Sequence, residues 1–333
     1  MGKTLLTNHQ ASFHKARKEK AMNEVSLKPV VLVHSDEYAN WIFDKNHPTQ
    51  GRRFINARNA FVESAGKSGI KVREVKPVLA SRADLELVHS SDYVQEVLDN
   101  HTSNEWNEER ADLAELANLF AGGTLVALDQ LISNQAQVAI HFPGAKHHAQ
   151  YDYSSGFCVF ADLAIAAEIA TNRYGKRVAI LDIDAHHGDG TENLTQHNSE
   201  VLSFSIHEYG IFPGTGLDSQ PEKSIYNFPL GTSKGEGDLG RDDDALYRGV
   251  KAFLSLVKEF APDLIFIACG ADGHKEDPLS NLRYTVDGYV GVARLLKEAF
   301  LNTPFLIGGA GGYLPDSRTP EVWSEFALEI SKR

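Results

Sequence analysis

Val178-Ala-Ile-Leu-Asp-Ile-Asp-Ala-His-His-Gly-Asp-Gly-Thr191 is a stretch in which an apolar run changes abruptly into a cluster of ionisable side chains. The run from Val178 to Leu181 is typical of a strand in a parallel sheet that is covered on both faces. Two glycines, Gly188 and Gly190, allow the backbone to turn tightly within the cluster. The stretch therefore predicts a buried parallel strand that ends in a metal-binding loop.

The spacing of the charged residues supports a metal site. Asp184 and His186 are two positions apart, and side chains at that spacing leave an extended segment from the same face. Asp182 lies one step earlier on that face, where it can bind a second cation or orient a ligand. An ordinary solvated loop is the alternative, but so many ionisable groups beside a buried strand are costly without a metal or partner charges.

The pattern along the whole chain alternates between strands and helices. Such alternation predicts an α/β fold, a single three-layer α/β/α domain around a mostly parallel sheet of about eight strands. Residues 1–28 are polar and mixed in charge, which predicts an N-terminal arm, and residues 29–333 form the predicted domain. The predicted strands are 29–34, 71–77, 85–89, 137–142, 178–181, 201–207, 264–269 and 304–307, and the predicted helices are 52–69, 91–98, 111–133, 160–174, 243–260, 286–300 and 320–331.

Composition narrows the class of protein. Of 333 residues, 42% are apolar and 23% charged, as in soluble globular proteins. We predict no membrane span and no signal peptide, and hence a cytoplasmic protein, or a nuclear one if the source is eukaryotic. The net charge of −12 argues against direct nucleic-acid binding and would suit a cationic substrate, although solubility alone also explains it.

Four loops that follow predicted strands carry the candidate chemistry. Ligands of parallel sheets bind outside the carboxyl ends of the strands, so these loops should meet. The loop after residue 269 offers a third metal ligand through Asp277 or Asp272. Two acidic ligands and one His leave positions open for water and a substrate carbonyl, as a catalytic metal site requires. The other loops add a pair of candidate acid/base groups and a phenol, namely His147, His148 and Tyr313.

Six ordered motifs together resemble the histone deacetylase superfamily, which includes acetylpolyamine amidohydrolases and acetoin utilisation proteins. The motifs are the 182–191 loop, His147-His148, Gly156-Phe157-Cys158, Phe212-Pro-Gly-Thr-Gly216, Cys269-Gly-Ala-Asp272 with Asp277-Pro278, and Gly311-Gly-Tyr313. The similarity runs from about Pro29 to the C-terminus. It implies an arginase/deacetylase fold and a metal-dependent amidohydrolase that removes acetyl or other acyl groups from amines.

The resemblance also implies a role for individual residues. It implies Zn²⁺ bound by Asp184, His186 and Asp277. His148, backed by Asp189, would be the general base and later protonate the leaving amine. His147, backed by Asp182, would stabilise charge, and Tyr313 would hydrogen-bond the substrate carbonyl. A structural K⁺ would be held by the Asp182 side chain, by backbone oxygens of Asp184, His186 and Ile206, and by Ser205.

The resemblance implies a tunnel for a linear acyl-lysine side chain. Its walls would include Gly156, Phe157 and Phe212. Counting from Asp277, Tyr284 falls where the family usually has Leu or Met on the pocket wall, so we expect Tyr284 to line the pocket and affect the acyl group. Glu105 and Glu108 are candidates for the acidic residue at the rim that binds the substrate backbone.

Several alternatives remain at this stage. Fe²⁺ suits one His and two carboxylates almost as well as Zn²⁺. The substrate is an acylated lysine of a peptide or protein, or an acylated polyamine, and an oligomer is compatible with either. A binuclear ureohydrolase of the arginase type and a non-catalytic binding protein are the rival interpretations. The segment before the His pair, Pro143-Gly-Ala-Lys146, departs from the better-known classes of the family.

Overall fold

The computed structural model describes residues 28–106, 108–231 and 240–332, so nearly all of the predicted N-terminal arm lies outside the described residues. Eight strands form one sheet in the described part. They are β1 (Val30–Val33), β2 (Val72–Val75), β3 (Val138–His141), β4 (Val178–Asp182), β5 (Val201–Glu208), β6 (Ile225–Leu230), β7 (Leu264–Ala268) and β8 (Phe305–Gly308).

The strands lie in the order β2-β1-β3-β8-β7-β4-β5-β6, and every neighbouring pair is parallel. Strands β3, β4, β5, β7 and β8 are buried at every position. Burial at successive positions of a strand requires cover on both faces of the sheet, because successive side chains point to opposite faces. The predicted α/β fold with a central parallel sheet is confirmed.

Helices supply that cover in two groups. In one group α9 packs against α1 and α8, and α8 also packs against α7. In the other group α5 packs against α4 and α6. The helices are α1 (Arg52–Lys67), α2 (Arg82–Leu85), α3 (Ser91–Asp99), α4 (Ala111–Ile132), α5 (Asp162–Tyr174), α6 (Asp189–Thr195), α7 (Asp243–Phe260), α8 (Val286–Ala299) and α9 (Arg318–Ser331). Most bounds agree with the sequence prediction within two residues.

Two local predictions differ from the structure. Strand β6 was not expected, because its sequence Ile-Tyr-Asn-Phe-Pro-Leu contains Pro229, which cannot donate to a ladder. The strand pairs only with β5 at the edge of the sheet, where a missing donor is tolerated. Residues 85–89, expected to be extended, instead close the short helix α2 and continue as a turn.

Helix α4 is long and apolar enough to cross a membrane, a property that the sequence prediction missed. Of its most apolar window, 72% is buried inside the fold. The helix packs on α5, β1, β3 and β8, which is the environment of a core helix. Two of its glycines permit this close packing, since a side chain at Gly123 would collide with His141 and one at Gly122 with the backbone of Val78.

Candidate active site

Loops at the carboxyl ends of four adjacent strands build the site. Strands β3, β8, β7 and β4 are neighbours in that order, and their loops carry His147 and His148, Tyr313, Asp272, and the 182–189 segment respectively. The sequence expectation that the four loops meet at one edge of the sheet is therefore correct. The position agrees with the general location of ligand sites in parallel sheets.

Three buried side chains form a candidate metal centre: Asp184, His186 and Asp272. Each offers one ligand atom, and these atoms all lie within 4.8 Å of one another. The Nδ1 atom of His186 is 2.9 Å from Asp272 Oδ2 and 3.1 Å from Asp184 Oδ1. A nitrogen and two carboxylate oxygens are a donor set that suits Zn²⁺ and Fe²⁺.

Asp277, the third ligand expected from the resemblance, is not a member of this group. Its Oδ2 accepts a hydrogen bond from the Tyr313 backbone N–H at 2.8 Å, and its Oδ1 accepts one from Leu279 N–H at 3.1 Å. Both oxygens of Asp184 also accept backbone N–H groups, so such bonds are compatible with a ligand role for either carboxylate. Asp272 is the alternative third ligand that the sequence left open, and Asp277 as the third ligand stays a prediction.

Backbone amides hold the ligand carboxylates in place. Gly311 N–H donates to Asp184 Oδ2 at 2.7 Å, and Ala185 N–H donates to Asp272 Oδ1 at 2.9 Å. The close approach at Gly270 requires glycine, because a Cβ there would lie 2.3 Å from Asp184 Oδ2. The two Gly-containing loops therefore fix the carboxylates while leaving one oxygen of Asp272 directed toward His186.

The charges of these groups are strongly coupled. Burial disfavours a charged His186, but the carboxylates of Asp184 and Asp272 outweigh burial and raise the His186 pKa to about 11. Burial and the neighbouring Asp184 raise the pKa of Asp272 to about 6. Without a cation, the raised pKa values keep protons on His186 and near Asp272, and these protons offset the negative charge of the carboxylates. A bound divalent cation would offset the same negative charge.

Two His–Asp pairs lie beside the candidate metal centre. His147 Nδ1 is 2.7 Å from Asp182 Oδ2, and His148 Nδ1 is 2.7 Å from Asp189 Oδ1. Gln150 was not predicted from the sequence, and its amide donates to Asp189 Oδ2 at 2.8 Å and so fixes that carboxylate. The pairing of each His with the expected Asp makes the proposed division of roles physically feasible.

The two His residues differ in charge state. Burial disfavours the charged form of His147, but the nearby carboxylates of Asp182 and Asp184 reverse that effect and raise its pKa to about 9. Burial and the charge on His147 lower the pKa of His148 to about 4, with Asp189 opposing the shift. At neutral pH His147 is therefore a cationic donor, whereas His148 is neutral and able to accept a proton.

A cavity of about 380 Å³ leads from the surface to these groups. Its apolar wall includes Phe157 and Phe212, as predicted, and Ile211 and Leu279, which were not. Tyr313 faces Phe157 with ring centroids 6.2 Å apart. Burial raises the pKa of the Tyr313 phenol further above its usual value, so the phenol stays protonated and can donate a hydrogen bond. The full lining is His148, Gly156, Phe157, His186, Ile211, Phe212, Leu279 and Tyr313.

Tyr284 does not line this cavity, contrary to the sequence expectation. The side chain is fully buried and packs edge-on against Tyr289 with ring centroids 5.7 Å apart. Its backbone pairs with the ligand loop, since Tyr284 N–H donates to Gly273 O at 3.0 Å. Leu279, which directly follows Asp277-Pro278, lies in the cavity wall instead.

Replacing Tyr284 by Phe is expected to leave acyl-group preference unchanged. Its hydroxyl is buried and lacks a hydrogen-bond partner among the described residues, so its removal should be neutral or stabilise the fold by about 1 kcal/mol. The change Leu279→Ala, in the wall, should instead shift kcat/KM toward bulkier acyl groups. Thermal unfolding and an acyl-chain series measure both effects. Altered acyl preference in the Tyr284 variant would show that this side chain does line the cavity.

The residues predicted to bind K⁺ lie on neighbouring strands. Asp182 and Ser205 are paired in register between β4 and β5, and Ile206 is the next residue of β5. Asp182 Oδ1 accepts the Asp184 N–H at 3.0 Å, and the Ser205 hydroxyl lies 2.9 Å from His207 Nδ1. The arrangement brings the expected oxygens into one region, and the potassium site stays a prediction.

The candidate rim acids lie in a separate surface groove. Glu105 and Glu108 line it together with Phe43, Asp44 and Arg110. The groove adjoins the tunnel wall, because Phe43 contacts Phe157 with ring centroids 6.3 Å apart. Burial raises the pKa of Glu105. Contact of either acid with a substrate backbone stays a prediction.

Comparison with known proteins places this geometry in a family. A family model described as the histone deacetylase domain matches residues 47–329. The acetoin utilization protein AcuC of Bacillus subtilis is 31% identical over 91% of this chain and 82% of its own length. The probable histone deacetylase 1-B of Xenopus laevis is 28% identical over 88% of this chain and 63% of its own length.

A solved structure supports the fold independently. The crystal structure of the HDA15 HD domain superposes with a TM-score of 0.79 at 22% identity, covering 91% of this chain and 90% of that one. At this identity the similarity shows the fold alone. The family match covers most of the chain and includes every loop of the site. The chain therefore belongs to the histone deacetylase family, whose members are generally metal-dependent deacetylases.

Proposed function

We propose that the protein hydrolyses the amide bond of acyl-lysine residues or related acylated amines, with Zn²⁺ as its catalytic metal. One observation carries the proposal: the Asp184–His186–Asp272 group, two His–Asp pairs and a protonated phenol converge at the inner end of an apolar tunnel. This combination supplies ligands for a metal, a general base, a general acid and an oxyanion donor within one site.

The chain's own residues divide the chemistry between them. The metal, held by Asp184, His186 and either Asp272 or Asp277, would supply Lewis-acid activation of water and of the amide carbonyl. His148 accepts the proton of the attacking water and then delivers it to the amine nitrogen as the C–N bond breaks. Protonated His147 and the Tyr313 phenol donate hydrogen bonds to the negative charge that develops on the carbonyl oxygen.

The shape of the tunnel favours an extended acyl-amine. Phe157 and Phe212 flank its apolar section, and Phe212 is 50% exposed, so it also borders the entrance. An aliphatic lysine side chain is long enough and apolar enough to reach the catalytic groups through such a passage. The net charge of −12 also favours a cationic peptide or amine as the partner.

An acylated polyamine is the second candidate substrate. The observation that favours it is the groove beside the tunnel mouth, where Asp44, Glu105 and Glu108 lie near the aromatic side chains of Phe43 and Trp106. Carboxylates and aromatic faces both attract ammonium groups. A binuclear ureohydrolase is disfavoured, because in the described ranges one group of three ligating side chains fits a single ion.

A panel of substrates tests the proposal. Zinc-loaded enzyme is offered an acetyl-lysine peptide, a longer acyl-lysine peptide and acetylated polyamines, with iron-loaded enzyme in parallel and a His148→Ala variant as control. We expect turnover of one amine class and its loss in the variant, with metal content unchanged. No hydrolysis of any acylated amine by fully metal-loaded enzyme would contradict the proposed activity.

Three further assignments belong to this proposal. K⁺ would be held beside the site by Asp182, Ser205 and the backbone oxygens of Asp184, His186 and Ile206, so activity should depend on K⁺ concentration. The protein would act in the cytoplasm, or in the nucleus of a eukaryote. Residues 29–333 would form the catalytic domain, of which the family model covers residues 47–329.

A further inference from the structure

A buried carboxylate at the end of β5 lies between two loops that supply part of the tunnel wall. Glu208 is the last residue of β5 and is 3% exposed. The chain continues from it to Ile211 and Phe212, which line the tunnel. Another part of the wall is Leu279, on the loop that follows β7. Glu208 is therefore in a position to connect the two loops.

Both oxygens of the Glu208 carboxylate bind one residue of the second loop. Oε2 accepts the Asn281 backbone N–H at 2.7 Å, and Oε1 accepts the Asn281 side-chain amide at 3.0 Å. Arg241, which lies just before α7, donates from Nε to the same Oε1 at 3.3 Å. Hydrogen bonds to a charged acceptor are stronger than those between neutral groups, so the contact holds the second loop firmly.

The backbone of Glu208 is fixed as well as its carboxylate. Its N–H donates to Ala185 O at 2.8 Å, and Ala185 lies between the candidate metal ligands Asp184 and His186. The residue also pairs in register with Leu230 of the neighbouring strand β6. Glu208 is therefore a rigid point of attachment for the loop that carries Asn281.

The wall side chains themselves are restrained only in part by packing, because Phe212 is 50% and Leu279 38% exposed. The Leu279 N–H donates to Asp277 Oδ1 at 3.1 Å, a bond that stays within the same loop. The contact between Glu208 and Asn281 instead joins this loop to a strand of the sheet. The position of Leu279 relative to the sheet thus depends on a residue that lies outside the tunnel lining.

We propose that Glu208 is a positioning residue that holds Leu279 at a fixed distance from Phe212 and so sets the width of the tunnel. Without the contact, the loop keeps its internal bonds but loses its attachment to β5, so the wall can move outward and admit a wider group. Glu208 thereby selects the shape of the bound molecule without touching it. The inference rests on the proposed function only for the metal and for the natural occupant of the tunnel.

Thiol binding to the zinc-loaded protein measures the width of the tunnel without turnover, because thiolates are good ligands of Zn²⁺. Calorimetry compares hexanethiol with a thiol of equal length that carries a tert-butyl end. The wild type should prefer the linear thiol. In Glu208→Gln an N–H donor replaces one acceptor oxygen and faces a donor of Asn281 or Arg241. The preference for the linear thiol should therefore fall by about fivefold or more.

Three further variants separate positioning from folding. Asn281→Ala removes only the side-chain bond at an exposed position, so it should fold and shift the preference in the same direction by a smaller factor. Glu208→Gln combined with Asn281→Asp exchanges donor and acceptor and should restore the wild-type preference. Glu329→Gln removes a comparably buried carboxylate on α9 that binds Lys297 at 2.6 Å, and it should lower thermal stability alone.

Equal zinc content is verified in all variants. An unchanged preference in Glu208→Gln and Asn281→Ala, no preference in the wild type, or an equal shift in Glu329→Gln would overturn the positioning role. A shift that the combined variant fails to reverse would indicate a general loss of packing and also count against it. A protein that binds the thiols as expected but hydrolyses no acylated amine would contradict the proposed function and leave the role of Glu208 intact.

Discussion

Asp272 and Asp277 are the two candidates for the third metal ligand, and replacing the true ligand by Asn is expected to abolish tight metal binding, whereas the same change at the other should leave the metal in place. Asp272 Oδ2 lies 2.9 Å from His186 Nδ1 within the three-residue group, while both oxygens of Asp277 accept backbone N–H groups. Loss of a residue that merely supports a ligand typically lowers metal affinity by about 10–100-fold, so loss of a direct ligand should cost more than that.

Asn is a matched change at both positions, because it preserves size and one acceptor oxygen. In Asp272→Asn that oxygen can still accept the Ala185 N–H, so the fold should persist. In Asp277→Asn one of two backbone amides loses its acceptor, which should lower stability by about 1–3 kcal/mol. Metal content by mass spectrometry after dialysis, together with thermal unfolding, measures both effects. Full metal occupancy in Asp272→Asn with loss in Asp277→Asn would identify Asp277 as the third ligand, and the reverse result would identify Asp272.

The sequence predicted the parts of the site that directly follow regular strands. The run from Val178 to Leu181 identified β4, and the two-residue spacing placed Asp184 and His186 together, although both lie in the bend that follows β4. The carboxyl-end rule then brought the four loops to one edge of the sheet. These inferences succeeded because the loops directly follow strands of a parallel sheet, whose carboxyl ends share one edge.

The inferences that failed concern irregular backbone. Between Asp272 and Tyr284 the chain turns without a repeating period, so sequence spacing left the third ligand open between Asp272 and Asp277 and placed Tyr284 wrongly in the tunnel wall. The contacts of Glu208 were equally inaccessible, because its hydrogen-bond partners come from segments far away in the chain. Tertiary contacts of this kind require the folded structure.

Replacing Tyr313 by Phe should reduce kcat by about a hundredfold or more, the cost of losing one preorganised oxyanion donor in comparable enzymes. Burial keeps the phenol protonated, and the backbone of the residue is held by Asp277 Oδ2 at 2.8 Å, so the donor is fixed before substrate binds. Phe retains the ring and its contact with Phe157, whose centroid is 6.2 Å away. The lost hydroxyl is therefore the main physical change.

Metal content and thermal stability of Tyr313→Phe should match the wild type, and KM should change much less than kcat, because the hydrogen bond strengthens as negative charge develops on the carbonyl oxygen. The Tyr284→Phe variant is a matched control, since it removes a phenol that is buried outside the tunnel. Steady-state kinetics on the best substrate of the panel gives both parameters. Wild-type kcat in Tyr313→Phe would exclude the phenol from the reaction and leave protonated His147, paired with Asp182 at 2.7 Å, as the donor to the oxyanion.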